Sequence, residues 1–200
     1  MKAAVFGSAT LALAAGLGVY VWQTTQAPTP CGDTSVAGAA IGGPFELVSE
    51  TGQTVTDADV ITGPTLVYFG YTFCPDVCPL DVMRNAQAAY ILEDQGIDLA
   101  TVFITVDPAR DTVEVVREFT DNFHEDMIGL TGTPEQVKAA SQAYRTYYQA
   151  QDDDPEFYLV DHSTQSYLMF PETGFATFFR NDTPPERVAE VSACFIDQLG

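Results

Sequence analysis

The stretch that decides the fold is residues 65–79, which read TLVYFGYTFCPDVCP. Its first part, Thr65–Gly70, is a continuous apolar run of β-branched and aromatic residues, which is typical of a strand buried on both faces. The second part holds two cysteines and two prolines, and a helical pattern follows over Leu80–Glu93, with Gly96 behind it as a stop signal. A buried strand that leads through a Cys/Pro segment into a helix predicts the start of a parallel α/β unit.

The patterns on the carboxyl side of this stretch alternate strands with helices and then change to antiparallel strands. This order predicts an α/β protein with a central mixed sheet flanked by helices, of the thioredoxin-like type. The other predicted elements are a hairpin at Phe45–Gln53, strands at Thr101–Val106, Met127–Leu130, Phe157–Val160, Ser166–Phe170 and Ala176–Phe179, and helices at Thr112–Phe123, Thr133–Tyr147 and Pro184–Leu199.

The amino end of the chain is predicted to lie outside the folded domain. Ala3–Trp22 contains no charged residue and is long enough, as a helix, to match a bilayer core. Because Lys2 precedes this run, residues 1–23 are expected to form a single-pass anchor in the inner (cytoplasmic) membrane, with the domain on the periplasmic side. A cleaved signal peptide is the alternative. Residues 24–43, rich in Gly, Pro and Thr, form a flexible tether, and residues 44–200 form the globular domain.

The charge balance limits the partners of the protein. The 200 residues include 8 Lys and Arg against 28 Asp and Glu, which gives a formal net charge of −20 at pH 7. Such a chain cannot replace the counterions of a nucleic acid, and it offers no basic patch to anionic lipid. We therefore expect no nucleic acid partner, a soluble domain and partners with cationic surfaces.

Cys74 and Cys78 are the strongest candidates for chemistry. Residues four apart lie on one helix face, so the two sulfurs can converge, and a helix amino end favours the thiolate. Two soft thiolates suit Cu(I), whereas zinc usually takes four closed ligands and no second cysteine pair is near in sequence. The thioredoxin redox motif has two residues between its cysteines, and this chain has three. Two cysteines that only pack at a helix start are the structural alternative.

The chain has two histidines, so any histidine that does chemistry is one of them. His162 lies in a loop that should approach the cysteines in such a sheet, and it is the candidate third ligand. Taken alone, a loop histidine is more often solvated or hydrogen-bonded than a ligand. Asp161 beside it could restrain the loop or neutralise charge. His124, at the end of a predicted helix, is assigned to the helix dipole.

Two further pairs of residues have open roles. Asp107 and Arg110 follow the second strand at the same sheet end as the cysteines. They either shape the site and contact a partner, or form an Asp-Pro turn and a helix cap. Cys31 and Cys194 are candidates for a structural disulfide outside the cytoplasm, with free thiols or a bond between two chains as the alternatives.

Taken together, these motifs resemble the Sco/SenC proteins, copper-binding assembly factors of cytochrome c oxidase. The resemblance rests on the amino-terminal anchor, on CPDVCP at residues 74–79, on VDPARDT at residues 106–112, and on VDHS at residues 160–163 shortly before YLM. It covers residues 44–197. The chain shows no departure from the family pattern at the ligand positions.

The resemblance implies a thioredoxin-like fold and a copper site made by Cys74, Cys78 and His162, for Cu(I) and, in a second state, Cu(II). It also implies cytochrome c oxidase subunit II as the partner, with another copper-donor protein upstream. Two roles follow from the family and stay open here. One is delivery of copper to the CuA centre of subunit II, and the other is reduction of the cysteines of that centre.

We therefore expect a metallochaperone and not a turnover enzyme, with three competitors. A thiol–disulfide oxidoreductase would use the two cysteines without His162, but such enzymes usually carry a cis-proline where this chain has DHST at residues 161–164. A thiol peroxidase needs one activated cysteine with Thr or Ser and Arg around it. Arg110 is available for that role, yet the cysteine pair favours internal oxidation. A redox or copper sensor is the third alternative.

Overall fold

The strand predicted at residues 65–70 is one of the central strands of a seven-stranded sheet. A computed structural model of the chain describes Cys31 and residues 40–151 and 157–199. The described elements, all within Thr34–Gly200, are β1 (Glu46–Ser49), β2 (Thr54–Thr56), α1 (Asp57–Val60), β3 (Thr65–Gly70), α2 (Val77–Glu93), β4 (Ala100–Thr105), α3 (Val113–Thr120), β5 (Ile128–Thr131), α4 (Pro134–Ala143), β6 (Tyr148–Ala150), β7 (Val160–His162), β8 (Ser166–Phe170), β9 (Gly174–Phe179) and α5 (Pro185–Leu199).

The sheet is mixed, with strand order β2-β1-β5-β4-β3-β8-β9. Strands β3, β4 and β5 are parallel, and the pairs β1–β2, β1–β5, β3–β8 and β8–β9 are antiparallel. A separate antiparallel pair joins β6 to β7. The prediction of a central mixed sheet flanked by helices in an α/β fold is confirmed.

Two apolar clusters hold the helices to the sheet. The larger cluster packs Phe69 of β3 and Ile104 of β4 against Val116 of α3 and Val137 of α4. The smaller cluster lies between β3, β8 and the helices α2 and α5, which pack against each other. Every residue of β3 is buried, as its unbroken apolar run predicts.

Local signals set several of the boundaries. Thr133 caps α4 in a capping box with Gln136, and Pro134 occupies the first helical position, where its missing N–H needs no partner. Thr112 caps α3 by accepting a hydrogen bond from Val115 N–H at 3.4 Å. Gly52, at φ +80°, supplies the turn of the first hairpin.

Several predicted boundaries were wrong. Helix α2 begins at Val77 and not at Leu80, so its first turn includes Cys78. The helix predicted to reach Tyr147 ends at Ala143, because the chain reverses through Arg145 at φ +54° and then enters β6. The strand predicted at residues 157–160 is β7, displaced towards His162 by its pairing with β6.

Across the described residues, no helix is both long enough and apolar enough to traverse a bilayer. The predicted anchor at residues 1–23 and most of the predicted tether at 24–43 lie outside the described residues. The acidic loop lies within residues 152–156, which are also outside them. The placement of the domain relative to a membrane therefore stays a prediction.

Candidate metal centre

The two cysteines lie where the carboxyl end of β3 passes into α2. Cys74 is in the connecting loop, whose turn is closed by a hydrogen bond from Cys74 N–H to the Tyr71 carbonyl at 3.3 Å. Cys78 is in the first turn of α2, and its backbone N–H donates to Cys74 Sγ at 3.3 Å. Both side chains are buried and both are free thiols. The free N–H groups of a helix amino end thus point at the first sulfur.

Gly70 makes room for this arrangement at the end of β3. A Cβ atom at this position would lie 2.8 Å from Tyr68 Cε1 and 3.1 Å from Cys78 Sγ. Side chains do not approach one another that closely, so only glycine allows Cys78 to pack directly against the strand.

His162 reaches the cysteines as the last residue of β7. Its Nε2 lies 3.1 Å from Cys78 Sγ, and its Nδ1 lies 2.8 Å from the Ser163 carbonyl oxygen. A carbonyl oxygen only accepts, so Nδ1 carries the ring proton and the lone pair of Nε2 faces the sulfur. The imidazole ring makes T-shaped contacts with the rings of Tyr68 and Tyr71, at centroid distances of 6.2 and 5.7 Å. The imidazole is therefore fixed in the orientation that a metal ligand needs.

The electrostatics of the pair favour a thiolate on Cys74. Its hydrogen bonds from the Cys78 thiol and from backbone N–H groups lower the pKa of Cys74 despite partial burial. The same hydrogen bond to Cys74, together with burial, raises the pKa of Cys78. When the pair carries a single thiol proton, that proton is thus bound to Cys78, whose sulfur lies between two acceptors, Cys74 Sγ and His162 Nε2.

These three side chains form a compact donor set. The two sulfurs and a ring nitrogen of His162 all lie within 4.8 Å of one another. Two thiolates and one imidazole are soft and borderline donors that fit Cu(I), and a closed four-ligand zinc site is not formed by this group. A cation held by all three atoms would take the place of the Cys78 proton.

Comparison with known proteins is consistent with this donor set. A family model described as SCO1/SenC matches residues 33–197. The chain belongs to the SCO1/SenC family. Protein SenC of Rhodobacter capsulatus is 58% identical over 166 residues, which are 83% of this chain and 75% of that protein.

Solved structures of SCO1/SenC relatives include several with copper bound. The crystal structure of Arabidopsis thaliana ScoI with copper bound is 41% identical, with a TM-score of 0.74 over 79% of this chain and 99% of that one. The crystal structure of yeast Sco1 with copper bound is 34% identical, with a TM-score of 0.76 over 80% of this chain and 91% of that one.

In this SCO1/SenC chain, Asp107 and Arg110 connect the two segments that carry the donors. The Asp107 carboxylate accepts hydrogen bonds from Arg110 Nε at 2.5 Å and from the Tyr158 hydroxyl at 2.6 Å. Arg110 Nη1 donates to the Tyr158 carbonyl at 3.0 Å, and the guanidinium stacks on the Tyr158 ring at 3.6 Å and on Phe73 at 4.8 Å. Arg110 therefore lies between the loop of Cys74 and the segment that leads into β7.

Asp111 is a positioning residue that the sequence prediction missed. It is fully buried and accepts hydrogen bonds from Thr72 N–H at 3.0 Å, Thr72 Oγ1 at 2.6 Å and Thr105 Oγ1 at 2.5 Å. Its own carbonyl accepts from Thr131 Oγ1 at 2.7 Å. This carboxylate fastens the cysteine loop to β4. The available signal was its place in the VDPARDT segment, directly after Arg110.

A buried polar network beneath the site was also missed. The Tyr68 hydroxyl donates to Asp81 at 3.1 Å, Arg84 donates to the same carboxylate at 2.9 Å, and Arg84 also donates to Ser166 Oγ at 2.7 Å. Asp81 and Arg84 are 2% and 6% exposed. Burial raises the pKa of Asp81 and lowers that of Arg84, because it disfavours the charged form of each. The network holds Tyr68, whose ring contacts the imidazole of the site.

Three sequence expectations concern residues beside or away from this group. Asp161 is exposed and accepts from Gln151 at 2.9 Å, so it restrains the β6–β7 pair. His124 lies beyond the end of α3, buried against Glu93 of α2, and its predicted role at the helix dipole stays a prediction. Cys31 and Cys194 are both in the disulfide form, and their pairing with each other stays a prediction.

Proposed function

We propose that this SCO1/SenC protein is a copper chaperone that binds one Cu(I) ion through Cys74, Cys78 and His162 and passes it to a partner. The observation that carries the proposal is the convergence of two sulfurs with an imidazole whose Nε2 lone pair is already turned towards them. Two thiolates and an imidazole bind Cu(I) firmly, and a coordination sphere of only three lets an incoming ligand of the partner enter before the first ligand leaves.

The family supports cytochrome c oxidase as the destination. We propose that the copper reaches the CuA centre of oxidase subunit II, that another copper protein supplies it, and that residues 1–23 anchor the chain in the inner membrane with the domain in the periplasm. The copper bound in the ScoI and Sco1 relatives supports copper as the ion. Cu(II) is the second state that the imidazole would help to hold.

The direct test is the copper stoichiometry of the reduced full chain. We expect one Cu(I) per chain in the parent, no tight binding in Cys74→Ala or Cys78→Ala, and an affinity at least about tenfold weaker in His162→Ala. His124→Gln is the matched histidine control and should bind Cu(I) as the parent does. Unchanged Cu(I) affinity in His162→Ala would place the site elsewhere.

A second candidate function is supported by the lowered pKa of Cys74 beside a second free thiol. As a thiol–disulfide reductase, the Cys74 thiolate would attack a disulfide of the partner and release one partner thiol. Cys78 would then attack the mixed disulfide, which leaves a Cys74–Cys78 disulfide and a second partner thiol. Two electrons pass to the partner, and an external dithiol must restore the pair.

Oxidase assembly in cells separates the two functions. The chaperone requires all three donors, so Cys74→Ala, Cys78→Ala and His162→Ala should each abolish assembly under copper limitation. In vitro, His162→Ala should still cycle its cysteines with a dithiol. Normal oxidase activity in the His162→Ala strain would favour the reductase instead.

A further inference from the structure

We propose that Glu93, His124 and Asp126 form a second metal site, for a divalent ion of the Zn²⁺ type, that is separate from the thiolate centre. One ligand atom of each residue lies within 4.8 Å of the others. The thiolate centre follows the carboxyl end of β3, whereas this group adjoins the amino end of β4, which runs parallel to β3. The two sites are therefore at opposite ends of the parallel strands.

The group opens into a cavity with an unbalanced negative charge. The cavity has a volume of about 210 Å³, and among the described residues that line it are three carboxylates but no Lys or Arg. The lining is Glu93, Asp98, Leu99, Ala100, Thr101, His124 and Asp126. Carboxylates gathered without a cation repel one another, so a bound divalent ion would be stabilised there.

Two buried polar atoms at this cavity have no hydrogen-bond partner among the residues that the structure describes. They are His124 Nε2 and Thr101 Oγ1, in side chains that are only 4% and 3% exposed. Glu93 Oε1 lies 3.1 Å from His124 Nε2, but off the direction in which an N–H could donate. Buried polar atoms are nearly always satisfied by protein, water or an ion, so His124 Nε2 and Thr101 Oγ1 are available to a further partner in the cavity.

The donor types select the ion. Imidazole with carboxylates suits Zn²⁺ and its neighbours in the transition series, while Cu(I) prefers sulfur and Mg²⁺ or Ca²⁺ prefer oxygen alone. The 3.1 Å between His124 Nε2 and Glu93 Oε1 is somewhat shorter than the ~3.4 Å between two donors that each lie ~2.1 Å from a tetrahedral zinc ion, and the half-exposed Glu93 side chain can move by that difference. Tyr90 packs on the imidazole at a centroid distance of 4.3 Å and holds its plane.

Binding of a metal ion through His124 Nε2 would require one local change in the turn after α3. His124 Nδ1 accepts a hydrogen bond from Asp126 N–H at 3.2 Å, and a ring that binds metal through Nε2 carries its proton on Nδ1. That bond spans only two residues in the turn after α3, where Asp126 is exposed. The turn can therefore move while the buried imidazole and α2 stay in place, and the Asp126 carboxylate can swing to the ion.

The test is a calorimetric titration of Zn²⁺ into the full chain carrying Cys74→Ser and Cys78→Ser, which removes the thiolate centre. We expect one Zn²⁺ per chain, an affinity at least about tenfold weaker after adding Glu93→Gln or His124→Gln, and no displacement by excess Mg²⁺. Glu125→Gln, next to the group but outside the cavity lining, is the matched control and should leave Zn²⁺ binding unchanged.

Three outcomes would overturn the site: no saturable Zn²⁺ binding, equal affinity with and without Glu93→Gln in the Cys74→Ser, Cys78→Ser chain, or displacement of Zn²⁺ by Mg²⁺. Glu93 is 42% exposed, so its replacement by Gln leaves the core intact even where loss of buried His124 disturbs folding.

Discussion

Gly70 lets Cys78, a proposed metal ligand, pack directly against strand β3. We predict that Gly70→Ala lowers the free energy of unfolding by about 1–3 kcal/mol, because the new methyl group meets Tyr68, Cys78 and Phe103 within 2.8–3.1 Å. The displaced Cys78 should also weaken Cu(I) binding. Chemical denaturation and a competition assay for Cu(I) measure the two effects.

The control for Gly70 is Gly63, the glycine just before β3. A Cβ there meets nothing within 4 Å, and its φ is not positive. Gly63→Ala should change stability by less than about 1 kcal/mol and leave Cu(I) binding as in the parent. Equal effects of the two substitutions would contradict the close-packing argument.

Asp111 concentrates three hydrogen bonds on one buried carboxylate. Asn offers a single acceptor oxygen, and its amide hydrogens would face the donors Thr72 and Thr105. We predict that Asp111→Asn lowers the free energy of unfolding by about 1–3 kcal/mol and loosens the cysteine loop. Urea denaturation of the two proteins measures the loss. Parent-like stability would show that the loop is held by other contacts.

The effect of Asp111 should also depend on pH. Burial raises the pKa of this carboxyl above 3.8, because it disfavours the charged form. The folded state then binds this proton more tightly than the unfolded state. The stabilisation is thus complete below pH ~3.8 and is lost as the pH rises through the folded pKa. Asn does not titrate, so the stability difference between parent and Asp111→Asn should shrink as the pH rises above about 4 and through the folded pKa. A difference that grows over this range would reverse the sign argued here.

At the scale of elements, the site depends on how β7 and the loop before α2 are held together. Arg110 bonds to Asp107 and to the Tyr158 carbonyl and packs on rings from both segments. Lys keeps the charge but loses the planar fork. We predict that Arg110→Lys speeds amide exchange at residues 157–162 by about tenfold, equal to ~1.4 kcal/mol, while β3 and β4 stay protected.

Arg187→Lys is the control for Arg110. Arg187 lies on α5, is about half exposed and pairs with Glu190 one turn away. Its replacement should leave exchange at β7 unchanged. In Arg110→Lys, Cu(I) affinity should fall less than in His162→Ala, because a supporting contact is lost and not a ligand. Unaltered exchange at residues 157–162 in Arg110→Lys would mean that Tyr158 is held by other means.

Elements with strong local signals could be predicted from sequence, and elements set by pairing could not. The apolar run of β3 and the cap at Thr133 fix their own boundaries. No local sequence signal near Tyr148 predicts a strand, because β6 forms only by pairing with β7, on the other side of the acidic loop in the sequence. The three donors were identifiable by residue type and motif. Among their supports, Asp111 bonds to Thr72 of the cysteine loop, and Tyr158 bonds to Arg110. These contacts join segments that are distant in sequence, and no local pattern encodes them.

At the scale of the whole molecule, the arrangement of the core predicts a fold that does not depend on metal. Both apolar clusters lie between helices and the sheet, and Cys74 and Cys78 are only two of the many buried members of the larger one. This differs from a zinc finger, in which the metal replaces a core. The strongly acidic composition, at −20, should also keep the metal-free chain soluble.

We therefore predict that the full chain, stripped of copper by a chelator, keeps an α/β far-UV circular dichroism spectrum and unfolds cooperatively. Cu(I) binds only the folded state, so it should raise the free energy of unfolding by RT ln(1 + [Cu]/Kd), about 2.7 kcal/mol when free copper is a hundredfold above Kd. His162→Ala should gain much less at the same free copper, although its metal-free stability stays near that of the parent. A random-coil spectrum of the stripped chain would show that copper is part of the fold.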